Sequence, residues 1–202
     1  DEAYRTFINL FKKDVVNGHA EQEYEHQFKE YINSHQVYAF AAGRMALFSA
    51  LKGMCLSDDD EIILPSYTCS VVPNAIIYAC CKPIYCDINK EDYNIDTSKI
   101  EALITSNTKV IYAQHTFGNM CDIDRIMSIA KKHNLHVIED AALSLGAKHN
   151  GQYSGTIGDF GYFSTDRSKI INTSQGGILS LNNGDFRDSI KTEYKQTPYL
   201  SV

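Results

Sequence analysis

The sequence predicts an α/β domain built on a mainly parallel sheet, and three observations carry that reading. From Val37 onward, short apolar runs alternate with helical stretches, which is the pattern of successive βαβ units. The chain has 202 residues, enough for one large domain that buries roughly 70% of the surface its unfolded form exposes. Its composition, 44% hydrophobic and 22% charged, is that of a globular chain, and no apolar run approaches the roughly 20 residues of a membrane helix.

Each element follows from its local pattern. "VYAF" (37–40) reads as a strand that turns through Gly43 into the helix "RMALFSALKGM". "EIILP" (61–65) is a second strand, followed by the helix "SVVPNAIIYACC" and the strand "PIYCDI" (83–88). A helix near "DTSKIEALI" (96–104) precedes the strand "TKVIYAQ" (108–114). In the helix "DIDRIMSIAKKHN" (122–134), Ile123, Ile126, Met127 and Ala130 mark one apolar face, Asp122 supplies a cap and Asn134 a stop. "HVIED" (136–140) is a strand, and a Gly-rich passage then leads to the strands "GDFGYFST" (158–165) and "GGILSL" (176–181) and to a polar helix near Asp185 to Lys195.

Residues 1–34 differ, being charged and helical with few strand signals, and read as an N-terminal arm on the edge of the domain or on a neighbour. The ending "EYKQTPYLSV" has neither a clear cap nor a new element. No internal repeat, signal peptide or low-complexity segment stands out.

Net charge is −6, and the basic pairs Lys12-Lys13 and Lys131-Lys132 fall on helical segments where a solvated face explains them. Nucleic acid is therefore not an expected partner. The six cysteines contain no C-x-x-C pair, which favours a reducing cytoplasm over a disulfide scaffold or a metal site. Cys80-Cys81 reads as packing.

Ligands of open α/β sheets bind outside the carboxyl ends of the strands. Three candidates fall there: Asp140 closing "HVIED", Gly43 in the turn "AAGR", and Ser164 with Lys169 after "GDFGYFST". A helix entered through "AAGR" offers free N–H groups and a positive dipole end, which suit a phosphate. The stretch matches neither G-x-G-x-x-G nor a P-loop. An acid at a strand end, a phosphate seat and a lysine together fit pyridoxal phosphate: the lysine amine joins its aldehyde, a carboxylate keeps its ring nitrogen protonated, and the phosphate anchors it. The glycine pair Gly176-Gly177 is expected to let the chain turn back into the sheet. His115, Tyr67 and Tyr162 read as structural or rim residues.

The stretch "VIEDAALSLGAKHNGQYSGTIGDFGYFSTDRSKIINTSQGGILSLNN" resembles the DegT/StrS-type sugar aminotransferases, which are fold type I pyridoxal-phosphate enzymes. "DDDEIILPSYTCSVVPNAIIYACCKPIYCDINKEDYNID" and "TKVIYAQHTFGNMCDIDRIMSIAKKHNLHVIEDAA" resemble the same family in order and spacing, so the similarity runs from about Gly18 to about Asn183. The resemblance implies a three-layer α/β/α large domain around a mostly parallel, seven-stranded sheet. It implies that Lys169 is the Schiff-base lysine and proton carrier, Asp140 the partner of the pyridine nitrogen, and Ser164 a phosphate ligand, with Ala42, Gly43 and Arg44 at the phosphate turn. It also places Cys69 where many relatives carry an aromatic over the cofactor ring, and Leu143 where many carry a glutamine.

The function so implied is transfer of an amino group, from glutamate, to a keto sugar carried on a nucleotide. Two alternatives stand beside it: a non-catalytic module with the same fold, motivated by Ala42, Arg44, Cys69 and Leu143, and a sugar dehydratase, against which the retained Lys169 argues. The expected organisation is a helical arm over 1–34 and a cofactor-binding large domain over 35–202, with the family's smaller C-terminal domain absent from this chain. A cytoplasmic homodimer is the expected assembly.

Overall fold

The computed structural model describes residues 20–197. Their first helix, α1 (Ala20–Ile32), leads into strand β1 (Gln36–Phe40) and helix α2 (Gly43–Gly53). Strand β2 (Glu61–Pro65), helix α3 (Val71–Tyr78) and strand β3 (Lys82–Cys86) follow, then the short helix α4 (Thr97–Ile100) continued as a 3₁₀ turn over Glu101–Leu103. Strand β4 (Thr108–Gln114), helix α5 (Ile123–His133) and strand β5 (His136–Asp140) form the next unit. A small hairpin, β6 (Lys148–His149) and β7 (Gln152–Tyr153), precedes β8 (Phe160–Ser164), β9 (Gly177–Leu181) and α6 (Arg187–Gln196).

The expected seven-stranded sheet is present, with order β1-β9-β8-β5-β4-β2-β3. Pairing is parallel from β8 through β5, β4 and β2 to β3, and antiparallel only where β9 lies between β1 and β8. The strand tips Phe40, Pro65, Gln114, Asp140 and Ser164 therefore share one edge, and Gly177, the first residue of β9, pairs with both Phe40 and Ser164 there.

Side-chain alternation along the strands divides the core into two faces. Tyr38, Leu64, Tyr112, Ile138, Phe160 and Leu179 pack under α2, α3 and α6 through Leu47, Leu51, Ile76 and Ile190. On the other face Ile63, Ile111 and Val137 meet α4 and α5 through Ile100, Ile123, Ile126 and Ile129. Phe28 and Ile32 of α1 pack on that same face against Val37, Phe163 and Ile178. In α5 the fourth fully buried position of the face, besides Ile123, Ile126 and Ala130, is Ile129, whereas Met127 is only partly covered.

Local chemistry sets the element ends. Asp122 Oδ1 accepts from the Arg125 N–H (3.2 Å) at the start of α5, and Asn134 ends it in the left-handed conformation (φ 53°, ψ 47°). Pro73 sits in the first turn of α3, where its missing N–H leaves no helical bond unmade. The hairpin β6–β7 turns through Asn150 and Gly151, both at positive φ, so "HNGQ" carried a turn signal inside the passage read only as Gly-rich. The expected helix over 96–104 tightens into 3₁₀ geometry after one turn.

Two expectations change. Gly176 and Gly177 are not at positive φ; they are small because of close packing. A Cβ on Gly177 would lie 2.3 Å from the Ala42 carbonyl carbon and 2.4 Å from the Gly43 nitrogen, and one on Gly176 would lie 2.2 Å from Thr165 Oγ1. Of the pair Cys80-Cys81, only Cys81 is packed, and burial pushes its thiol up to about 11; Cys80 is exposed. Among the described residues, no helix is long and apolar enough to cross a membrane.

Candidate active site

A cavity of about 520 Å³ opens at the carboxyl edge of the sheet, within the ordinary range for small-molecule sites. Ala42, Gly43, Arg44, Cys69, Asp140, Ser164 and Lys169, which the sequence points to separately, all line it. Leu143 lines it too. Asp140 and Ser164 share the parity of Ile138 and Tyr162, so both side chains project on the α2 and α3 face of the sheet.

The anion seat is built by close approach of α2 to β8. A Cβ on Gly43 would stand 3.1 Å from Ser164 Cβ and 3.3 Å from the Phe163 carbonyl oxygen, a tight fit that glycine relieves where the helix starts beside the strand end. The helix has no side-chain cap: Ala42 carries no hydroxyl or carboxylate, and its carbonyl accepts from the Met45 and Ala46 N–H groups. The N–H groups of the first turn are left for a ligand. The Arg44 guanidinium forms no ion pair among the described residues.

Asp140 is held at both oxygens. Oδ1 accepts from the Ala142 N–H (2.9 Å), and Oδ2 accepts from the Tyr112 hydroxyl (2.5 Å). The single Tyr112 proton goes to the carboxylate, so the Tyr162 hydroxyl donates to Tyr112 in turn. Burial first, and the Asp140 charge second, raise both tyrosines well above the usual tyrosine range. They stay protonated donors at any physiological pH, and the carboxylate stays oriented.

Lys169 stands on the loop between β8 and β9. The neck of that loop is closed by the Thr165 N–H on the Gly176 carbonyl (2.9 Å), the Thr173 N–H on the Thr165 carbonyl (2.9 Å) and the two threonine hydroxyls (2.7 Å). Lys169 lines the cavity half-buried, and among the described residues no side chain hydrogen-bonds or ion-pairs with its amine. A surface lysine would instead be solvated.

Beneath the cavity, on the opposite face, lies a buried carboxylate. Glu139 accepts from the N–H groups of Gly155 (2.9 Å), Ile157 (2.6 Å) and Gly158 (2.7 Å). His115 Nδ1 accepts from the Cys121 N–H (3.3 Å), so Nε2 carries the proton and donates to Glu139 Oε2 (3.0 Å). Both ring nitrogens of His115 are thereby committed, which makes it a structural residue although it borders the cavity. Gln114 ties the loop carrying Cys69 to β4: its Oε1 accepts from the Thr68 hydroxyl (2.6 Å), and its Nε2 donates to the Tyr67 carbonyl (3.0 Å).

Sequence reading missed Tyr112, Glu139 and Gln114. The available signals were polar side chains in strands otherwise filled by Ile111, Ala113, Val137 and Ile138.

The donor set fits pyridoxal phosphate. An acid held rigid at a strand end, an anion seat of helix N–H groups, hydroxyl and guanidinium, and an unpaired amine all meet in one cavity. Fold and cavity together define the large domain of a pyridoxal-phosphate-dependent transferase. The chain belongs to the DegT/DnrJ/EryC1/StrS aminotransferase family, whose pattern matches residues 5–196.

It is 40% identical over 163 residues to a GDP-perosamine synthase of Caulobacter vibrioides, covering 81% of this chain and 44% of that protein. A GDP-perosamine synthase of Escherichia coli O157:H7 is 37% identical over 171 residues, or 85% of this chain and 47% of that protein. Among solved structures, an aminotransferase from Psychrobacter cryohalolentis superposes with a TM-score of 0.87 at 27% identity, over 100% of this chain and 54% of that one. The chain thus spans about half the length of the relatives it matches.

Proposed function

We propose that the protein is a pyridoxal-phosphate-dependent aminotransferase that moves an amino group from glutamate to a keto sugar carried on a nucleotide. The observation that carries this reading is the meeting of Lys169, Asp140 and the Gly43–Ser164 seat in one cavity. When bound, pyridoxal phosphate supplies an aldehyde that takes up the amino group and a ring that accepts the electron pair released as a proton departs.

The residues of this chain do the rest. The N–H groups at the start of α2, the Ser164 hydroxyl and the Arg44 guanidinium would hold the phosphate. Asp140, its carboxylate held by the Tyr112 hydroxyl, would partner the ring nitrogen and keep it protonated. Cys69, exposed and bordering the cavity, would lie against the ring. Lys169 Nζ takes the proton from the α-carbon of the amino donor and, in the return half-reaction, gives a proton to the carbon that gains the amine.

A homodimer and a cytoplasmic setting belong to the same proposal. Val71, Ile77 and Tyr78 are exposed on α3, and an apolar hollow lined by Met45, Phe48, Val71 and Tyr78 lies beside the site, which suits a second copy. All six cysteines are free thiols.

The test is amino transfer by the full-length protein, with glutamate and a panel of keto nucleotide sugars, read as 2-oxoglutarate formed and amine gained. Loss of a sugar oxygen without amine gain would replace transfer by dehydration. Absence of any turnover would leave the non-catalytic alternative.

A further inference from the structure

Three aromatic rings stand exposed at the mouth of the cavity: Tyr67 at 48%, Tyr93 at 47% and Phe117 at 66%. They come from three separate segments, after β2, after β3 and after β4, yet form one cluster. Ring centroids are 5.7 Å apart for Tyr67 and Tyr93, 6.1 Å for Tyr67 and Phe117, and 6.2 Å for Tyr93 and Phe117. Tyr67 and Phe117 also line the cavity that holds Asp140 and Lys169.

The cluster is held from below by buried polar groups. Asn94 Oδ1 accepts from the Thr116 N–H (2.9 Å), and the Thr116 hydroxyl donates to the Tyr93 carbonyl (3.2 Å) and accepts from Gln114 Nε2 (2.9 Å). The same Gln114 amide reaches the Tyr67 carbonyl (3.0 Å). One network therefore fixes the backbone under all three rings. Tyr93 and Phe117 are both in the left-handed region (φ 61° and 56°), which aromatic residues adopt only where the surroundings enforce it. Fixed backbone beneath exposed rings is the arrangement of a surface kept ready for a ligand rather than of a core.

Sheet order sets the distance to the reacting centre. Phe117, Tyr67 and Tyr93 follow strands one, two and three places from the strand of Asp140. At about 4.8 Å per strand, those strands lie roughly 5 Å to roughly 14 Å away along the sheet edge, and the three rings gather above them with centroids no more than 6.2 Å apart. A keto sugar over Lys169 would carry its diphosphate and nucleoside away from the reacting centre, toward the edge where the rings stand.

We infer that Tyr67, Tyr93 and Phe117 form an aromatic shelf that stacks the heteroaromatic base of a nucleotide-linked sugar. The inference rests on the sugar-nucleotide reading above and assigns the base to a place in the fold. Base stacking on aromatic rings tolerates any base, so the shelf contributes affinity for the nucleotide rather than choice among nucleotides.

The experiment titrates the full-length protein loaded with pyridoxal phosphate with GDP, UDP, TDP and CDP, without any sugar, and follows the heat of binding. Saturable binding of at least one nucleotide is expected, weakened on the order of tenfold in Phe117→Ala and in Tyr93→Ala. Phe117→Leu, which keeps apolar bulk, should lose affinity as well, and Phe117→Tyr should retain it. A thermal midpoint measured on each variant separates loss of the shelf from loss of the fold.

Affinity unchanged within twofold in Phe117→Leu and Tyr93→Ala, or no nucleotide bound by the parent protein, would overturn the shelf. Failure of the broader reading looks different: nucleotides would bind and respond to the ring substitutions while glutamate left the cofactor spectrum unaltered.

Discussion

The Tyr112 hydroxyl reaches Asp140 Oδ2 across two parallel strands, at 2.5 Å. Tyr112 pairs in register with Ile138, so Asp140 is its diagonal neighbour on the same face of the sheet, close enough for a long side chain to span. The bond joins a fully buried donor to the carboxylate that lines the site, and it makes sheet register a determinant of carboxylate orientation.

Replacing Tyr112 by Phe keeps the ring and removes the donor. Loss of a buried hydrogen bond to a charged acceptor is expected to cost about 1.5–3 kcal/mol of stability. Asp140 then turns more freely, so pyridoxal phosphate should bind several-fold more weakly. Urea unfolding and cofactor titration of Tyr112→Phe check both. A variant as stable and as tightly loaded as the parent would show that the bond orients nothing.

The same tyrosines set an alkaline limit. Tyr112 and Tyr162 titrate well above the ordinary tyrosine value of 10.0 in the folded protein, because of burial and then the Asp140 charge. Their contribution is complete below pH 10 and is lost as pH rises beyond it, since the unfolded chain releases these protons first. Each withheld proton costs about 1.4 kcal/mol per pH unit in that range. Urea midpoints at pH 8 and pH 11 should fall steeply, and less steeply in Tyr112→Phe.

Gly177→Ala tests the packing of β9 against the α2 entry. The new Cβ would sit 2.3 Å from the Ala42 carbonyl carbon, against backbone that cannot rotate away. Destabilisation of about 1–3 kcal/mol is expected, with reduced phosphate affinity because the Ala42–Gly43 peptide must move. A Gly177→Ala protein with parental stability and cofactor affinity would contradict the close approach.

Glu139→Gln addresses the buried support. The carboxylate accepts three backbone N–H groups and the His115 Nε2 proton, and an amide would turn two donors toward those donors. About 3–5 kcal/mol of stability should be lost in denaturant unfolding.

Much of this architecture is legible in the sequence because it depends on local pattern. Beta strands with branched residues, such as "EIILP" and "TKVIYAQ", appear with the bounds their composition suggests. Capped segments behave likewise, as Asp122 and Asn134 show for α5. Asp140, Ser164 and Lys169 were legible as strand-end residues, and the cavity brings them together.

What escaped depends on partners far along the chain. The Tyr112–Asp140 bond spans 28 residues and the Gln114–Tyr67 bond spans 47. No local period marks either. Gly176 and Gly177 were legible as special but not for the right reason, since a glycine needed for a turn and one needed for contact with a neighbouring helix look the same in sequence.

The central claim is that Lys169 is the amine facing the cofactor. The most direct measurement is the visible spectrum of the full-length protein with pyridoxal phosphate, followed by borohydride reduction and peptide mapping. A band that borohydride removes, with the reduced cofactor found on Lys169 and absent in Lys169→Ala, is the predicted result. No band, or a label on another lysine such as Lys52 or Lys148, would contradict the account.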